Sequence, residues 1–325
     1  MSDPTRRTVM TGAIGGAATL LLADGAAAQA SAVDERVPLW PGKIPGQQGT
    51  AIVRKVNERS KRAGFNDRSV TGVDTPALVV KRAARPNGAA VLLVPGGGYG
   101  FLSYDNEGEE QARWLNALGV TCFILLYRLP GEGWGDRRLV PLQDAQRAMR
   151  LIRAGATRYG VDAKRVAVLG FSAGGHLAGS LATRFAEATY APVDAADRLS
   201  ARPDLAGLIY PVVSMDAAIT HKGSRDHLLG PTPGADEIAA ASVDRRVTAD
   251  TPPVFLTHAS DDGTVPIANS LNLYAALLAA KRPAEMHVFD EGGHGFGVRL
   301  PKSVPASIWP TLFAAYAVRK GVFPA

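Results

Sequence analysis

Residues 166–175, Val-Ala-Val-Leu-Gly-Phe-Ser-Ala-Gly-Gly, run a short apolar strand into a Gly-x-Ser-x-Gly pattern centred on Ser172. A serine that attacks a carbonyl carbon must project from a sharp strand-to-helix turn with a strained backbone. The flanking Gly170 and Gly174 leave room for that turn. The helix-compatible residues 176–186 would point N–H groups at negative charge developing beside the serine. The pentapeptide also occurs in ordinary turns; its place between an apolar strand and a helix gives it chemical meaning.

A serine at its ordinary pKa needs a base, and the base needs a carboxylate to orient it. The chain has 6 histidines. His294 lies in the Gly-rich stretch 290–297, just after the apolar strand 286–289, where a loop can carry an imidazole across to a central strand. His287 sits inside that strand and reads as packed or surface-facing. His176 falls in the first turn after the serine and reads as structural. His258 ends a strand and is a candidate for shaping the site. His221 and His227 lie in a polar connection and read as solvated or rim residues. The acid should follow the strand 253–258, where Asp261 and Asp262 compete. One would face the histidine while the other caps a turn or the next helix.

An oxyanion needs backbone N–H donors. The buried-looking strand 89–95 runs into Gly96-Gly-Gly-Tyr-Gly100, whose glycines allow close approach to a substrate. The expected donors are the N–H groups of Gly97, Gly98 and Ala173. A nucleotide-phosphate loop is a poor fit, because Gly-Lys-Ser/Thr is missing and no Gly-x-Gly-x-x-Gly fingerprint matches.

These residues must be held by a scaffold, and its elements alternate along the chain. Strands are expected at 77–82, 90–94, 120–127, 166–169, 205–210, 253–258 and 286–289. Helices are expected near 107–118, 142–158, 176–186, 267–281 and 308–320. Alternation with continuous apolar strands implies one α/β domain whose mostly parallel sheet is covered on both faces. The Pro/Gly-rich residues 31–48 read as an extended surface arm. The connections 130–140 and 214–251 read as pocket walls, too short for a large lid. Tyr99, Trp134 and His258 are candidates for lining the pocket, Trp134 by stacking on a sugar ring.

With glycine loop, serine turn, acid and histidine in this order, the chain resembles the α/β-hydrolase superfamily over most of its length. It looks closest to the bacterial acetyl esterase/lipase group, acetylxylan-esterase-like and related to hormone-sensitive-lipase-like esterases. Residues 38–42 (PLWPG), 95–101 (PGGGYGF), 127–130 (YRLP), 141–145 (PLQDA) and 250–253 (DTPP) carry that likeness. Pro95 stands where lipase-like members have the histidine of His-Gly-Gly-Gly, which points to the carbohydrate-esterase-like branch. The resemblance implies Asp262 as the acid, three residues before Val265. It also implies a Ser172–His294–Asp262 triad that hydrolyses short acyl esters, acetyl foremost, on plant-type saccharides such as acetylated xylan fragments. The expected partner is a small-molecule or oligosaccharide ester, with no cofactor and no metal. A serine peptidase of the oligopeptidyl or dipeptidyl type shares the triad order, but this chain has no room for the propeller such enzymes carry. A non-catalytic binding protein on the same fold would not need all of Ser172, Asp262 and His294.

The N-terminus pairs Arg6 and Arg7 with an apolar run over 12–23 and an Ala-x-Ala site at 28–30. This reads as a cleavable twin-arginine-type export signal over 1–30, a catalytic domain over 31–325, and a periplasmic or secreted product without stable membrane association. The lone Cys122 cannot form an internal disulfide and reads as a small buried hydrophobe. The net charge of +6 is scattered. It lacks the basic helix or aromatic–basic interleaving that grips nucleic acid.

Overall fold

Apolar β-branched and leucine-rich segments build an eight-stranded sheet in the order β1-β4-β7-β5-β8-β9-β10-β11 in the computed structural model, which describes residues 34–49 and 51–325. The strands are β1 (Glu35–Pro38), β4 (Ala77–Lys81), β5 (Gly88–Val94), β7 (Thr121–Leu126), β8 (Val161–Phe171), β9 (Leu205–Ile209), β10 (Val254–Ala259) and β11 (Ala284–Phe289). From β7 to β11 all neighbours pair in parallel, whereas β1 and β4 add an antiparallel edge. The central strands β7 and β9, β5 beyond Gly88 and the second half of β8 are buried throughout, as parallel strands covered on both faces must be. Cys122 is buried in β7.

The helices are α1 (Glu110–Ala117), α2 (Val140–Ala154), α3 (Ala156–Tyr159), α4 (Ala173–Arg184), α5 (Lys222–Leu229), α6 (Ala235–Ala241), α7 (Ala268–Ala279) and α8 (Trp309–Arg319). Helices α1 and α8 meet through Trp114 and Trp309, whose rings lie 5.5 Å apart edge to face. Helix α4 packs on β8 and β9 with α2 alongside. The expected helix over 142–158 is interrupted at Gly155. A Cβ there would lie 2.4 Å from the Tyr159 ring.

Two features differ from expectation. The arm over 31–48 does not simply lie on the surface: β1 joins the sheet edge, and Leu39 and Trp40 behind it are buried. A second, three-stranded sheet, β2 (Lys55–Glu58), β3 (Arg68–Thr71) and β6 (Leu102–Ser103), was not foreseen. Every residue of β2 is exposed, so it lacks the apolar/polar alternation that marks a half-buried strand. The connection 214–251 likewise folds α5 and α6. The expected export signal at 1–30 lies outside the described residues.

Trp40, Arg128 and Asp144, each from a segment that carried the family likeness, form one buried cluster. Asp144 receives Trp40 Nε1–H at 2.8 Å and Arg128 Nη2–H at 2.7 Å, and both charged side chains are fully buried. The guanidinium is sandwiched between Trp40 and Trp134 at 5.6 and 5.0 Å from the ring centroids. Charges this deep persist only when paired and hydrogen-bonded, as these are.

Candidate active site

Strand β8 delivers Ser172 to the C-terminal edge of the sheet, and α4 begins one residue later. Ser172 has φ 52° and ψ −120°, a backbone conformation that costs energy for any residue with a Cβ. The turn is held by Ser172 N–H on the Ile209 carbonyl (3.0 Å) and by His176 and Val212 N–H on the Ser172 carbonyl. Positions 170 and 174, two residues to either side, have room only for glycine. A Cβ on Gly170 would meet the Gly174 carbonyl oxygen at 2.3 Å, and one on Gly174 would meet that of Val94 at 2.1 Å.

His294 stands opposite on the loop after β11. Its Nε2 lies 2.9 Å from Ser172 Oγ, and its Nδ1 lies 2.7 Å from Asp262 Oδ2. A carboxylate only accepts, so Nδ1 carries the hydrogen and Nε2 presents its lone pair to the serine hydroxyl. Asp262 also accepts the N–H groups of Thr264 and Val265 at 2.8 and 2.9 Å. Burial alone would raise the Asp262 pKa, but hydrogen bonds from His258 and His294 outweigh it and hold the carboxylate well below its ordinary range. It is therefore anionic wherever the imidazole must be oriented.

Both aspartates competing in the sequence contact the histidine loop. Asp262 takes the ring, whereas Asp261 takes the backbone N–H groups of Gly293 (2.7 Å) and Gly292 (3.2 Å). Gly97 and Gly98 line the same cavity as Ser172, with φ 122° and 62°. A Cβ on Gly97 would sit 2.2 Å from the Phe101 carbonyl oxygen. Ala173 is the first residue of α4, where N–H groups have no acceptor within the helix.

The cavity has a volume of about 730 Å³, with Ser172 and His294 among its lining residues. Arg59, Asp67 and Arg299 line it, as do His221 and His227 from the α5 segment. The rim reading of the last two fits this placement. His227 Nδ1–H donates to the Gly98 carbonyl at 2.8 Å, tying α5 to the glycine loop.

The three residues expected to line the pocket lie elsewhere. Tyr99, turned by φ 61°, is buried and holds His176 Nδ1 at 2.8 Å; it lines a separate cavity of about 170 Å³ behind the glycine loop. Trp134 is buried against Arg128. His258 is fully buried behind Asp262. Its Nε2–H points at the Val265 carbonyl (2.9 Å) and at Asp262 Oδ2 (3.2 Å), while Nδ1 accepts from Ser270 Oγ at 2.8 Å.

Sequence reasoning did not single out Arg59, Asp67, Arg299, Glu107 or Tyr210, because the segments that deliver them carry no motif. His258 did carry a signal. It stands four residues before Asp262, on the strand that ends at the acid loop.

The BD-FAE family matches residues 81–277 of this chain. An acetylxylan esterase of Xylanibacter ruminicola is 35% identical over 216 residues, 65% of this chain and 42% of that protein. An endo-1,4-beta-xylanase B of Butyrivibrio fibrisolvens is 36% identical over 208 residues, 64% of this chain and 32% of that protein. The chain thus spans less than half the length of these two relatives. The crystal structure of an acetyl ester-xyloside bifunctional hydrolase from Caldicellulosiruptor lactoaceticus superposes with a TM-score of 0.73 at 31% identity, covering 89% of this chain and 97% of that one.

Proposed function

Since the chain belongs to the BD-FAE family and has the α/β-hydrolase fold, we propose that it is a serine carboxylesterase that removes short acyl groups, acetyl foremost, from xylan-type saccharides. The observation that carries this reading is the contact chain Asp262–His294–Ser172, with hydrogen-bond lengths of 2.7 and 2.9 Å, at a cavity open to solvent.

In the proposed reaction His294 Nε2 takes the Ser172 proton as Oγ attacks the ester carbonyl carbon. The tetrahedral oxyanion is met by N–H groups of Gly97, Gly98 and Ala173. Asp262 stabilises the imidazolium without taking its proton. Collapse breaks the ester C–O bond, and the imidazolium gives its proton to the leaving sugar hydroxyl. Water, activated by the same imidazole, then releases the acid and restores Ser172.

The saccharide part rests on two supports. The relatives include an acetylxylan esterase and a xylanase. Arg59, Asp67, Arg299, His221 and His227 line the cavity and offer hydrogen-bonding groups to a polyol. The proposal includes export, on the strength of Arg6, Arg7 and the small-residue site at 28–30. N-terminal sequencing of the protein recovered outside the cytoplasm tests that part, and an uncut Met1 overturns it.

The deciding experiment measures acetate release from acetylated xylo-oligosaccharides, with Ser172→Ala as control. Release abolished in the variant supports the reading. Cleavage of an aryl acetate without release from the saccharide retains the esterase and removes the sugar. Failure on both removes the triad chemistry.

A further inference from the structure

The acyl-transfer steps leave one buried carboxylate at the site unused. Glu107 lies on the π turn Asp105–Glu109, is 3% exposed, and sits at the wall of the cavity that holds Ser172. Its Oε2 accepts the Gly96 N–H at 2.7 Å, at the start of the glycine loop. Its Oε1 accepts the Tyr210 hydroxyl at 3.0 Å, and Tyr210 Oη in turn accepts the Gly297 N–H at 3.0 Å. The Tyr210 ring stands against the His294 ring, centroids 4.9 Å apart. One side chain therefore joins the glycine loop to the loop that carries the base. It also lies close behind the nucleophile: a Cβ built on Gly96 would be 2.9 Å from both Glu107 Oε2 and Ser172 Cβ.

Donor and acceptor counting bears on its state. An amide N–H only donates. The Tyr210 hydroxyl accepts from the Gly297 N–H and donates to Glu107 Oε1. Both carboxylate oxygens are then acceptors, an arrangement that favours the anion. Burial outweighs these hydrogen bonds and leaves the Glu107 pKa above the ordinary carboxylate value, so the anion depends on them and on nearby positive charge. Among the described residues its hydrogen-bond partners are this amide and this phenol, neither of them a cation. Asp67, Arg299 and His227 line the same cavity as the pair. His294 is faced by Asp262 directly and by His221 at the start of α5, and Glu107 is faced by Arg59 beyond β2 and by His294 itself. The positive charge nearest in function to this anion appears when His294 takes up the serine proton.

We propose that Glu107 is a positioning residue for the acyl transfer: a buried anion that fixes the start of the glycine loop and, through Tyr210 and its own charge, supports the His294 imidazolium from the side that Asp262 does not reach. The proposal rests on the esterase reading for its kinetic arm alone. Its physical content, an anion acting on the His294 ring, stands without it.

Two variants of the full chain test it. Glu107→Gln keeps the shape and removes the charge. It should lower kcat on an aryl acetate roughly tenfold or more with little change in KM. It should also move the acid limb of kcat/KM to lower pH by about half a unit or more, because an imidazolium without its neighbouring anion loses its proton more readily. Glu107→Asp keeps the charge and shortens the reach; it should lose kcat with the acid limb in place. An NMR titration of the His294 ring in wild type and Glu107→Gln should show the same downward shift whether or not any ester is cleaved. A folded Glu107→Gln whose acid limb and ring titration both match wild type overturns the proposal, as does an Asp variant whose limb moves like that of Gln. If wild type cleaves no ester, the esterase reading falls while the ring titration still decides the role of Glu107.

Discussion

Asp261 Oδ1 accepts the Gly293 N–H at 2.7 Å, one residue before the imidazole whose Nδ1–H is held by the adjacent Asp262, also at 2.7 Å. Two neighbouring carboxylates thus act on one loop in different ways, Asp261 setting its backbone and Asp262 setting the ring. Gly293 has φ 64°, so the loop there adopts a left-handed conformation natural to glycine, and Asp261 fixes it from outside.

This division predicts unequal costs. Asp262→Asn should keep the fold and lower kcat on an aryl acetate roughly 10³- to 10⁴-fold, because the amide favours the wrong imidazole tautomer. Asp261→Asn should cost about tenfold or less, since it loosens the loop and leaves the hydrogen bond to the ring intact. Steady-state kinetics on the two variants decide it. Equal losses would mean that loop position and ring orientation cannot be separated.

The serine turn, the glycine loop and His294 were legible in the sequence because strained backbone and close approach demand particular residue types at fixed spacing. The choice between Asp261 and Asp262 was not legible from the residues themselves, since either carboxylate suits a turn after a strand. It needed the family likeness, and the structure supplies the direction of each side chain. Tyr99 and Trp134 were misplaced for one reason. An aromatic beside a glycine loop or in a polar connection looks accessible in one dimension, whereas φ 61° at Tyr99 and the Arg128 guanidinium beside Trp134 draw both inward. The β2–β3 hairpin that brings Arg59 and Asp67 to the cavity has an exposed leading strand and so no apolar period to announce it.

His176 makes a stability prediction whose sign follows from its burial. Burial pushes its pKa down from 6.5 to about 4, against the opposing hydrogen bond to the Ala241 carbonyl. The native state therefore holds the ring neutral where the unfolded chain protonates it. Stability from this group is complete above about pH 6.5 and is lost progressively as pH falls towards 4, by roughly 3 kcal/mol in all. Urea unfolding at pH 7 and pH 4.5 should show a smaller drop for His176→Gln than for wild type. Parallel drops would show that another group dominates this pH range.

The glycines at the serine turn predict a steep steric contrast. Gly174→Ala would place its Cβ 2.1 Å from the Val94 carbonyl oxygen, which forces the turn apart. The expected cost is about 3 kcal/mol or more, with loss of esterase activity in whatever folds. Gly131 has nothing within 4 Å of a built Cβ, so Gly131→Ala should stay within about 0.5 kcal/mol of wild type. Thermal unfolding compares them, and a benign Gly174→Ala would show that the turn can relax.

The Arg128–Asp144 pair tests whether the segments that carry the family likeness serve packing or chemistry. Both side chains are fully buried, and neither lines the cavity that holds Ser172. Asp144→Ala leaves the buried guanidinium with only neutral acceptors and the Trp40 N–H with none, at a cost of about 3–5 kcal/mol. Replacing both partners, Arg128→Met with Asp144→Leu, removes the uncompensated charge and should cost less than the sum of the two single changes. Fully folded fractions of each variant should retain KM near the wild-type value, because the pair acts on the scaffold. A single variant that keeps its stability but loses substrate affinity would instead place this cluster in recognition.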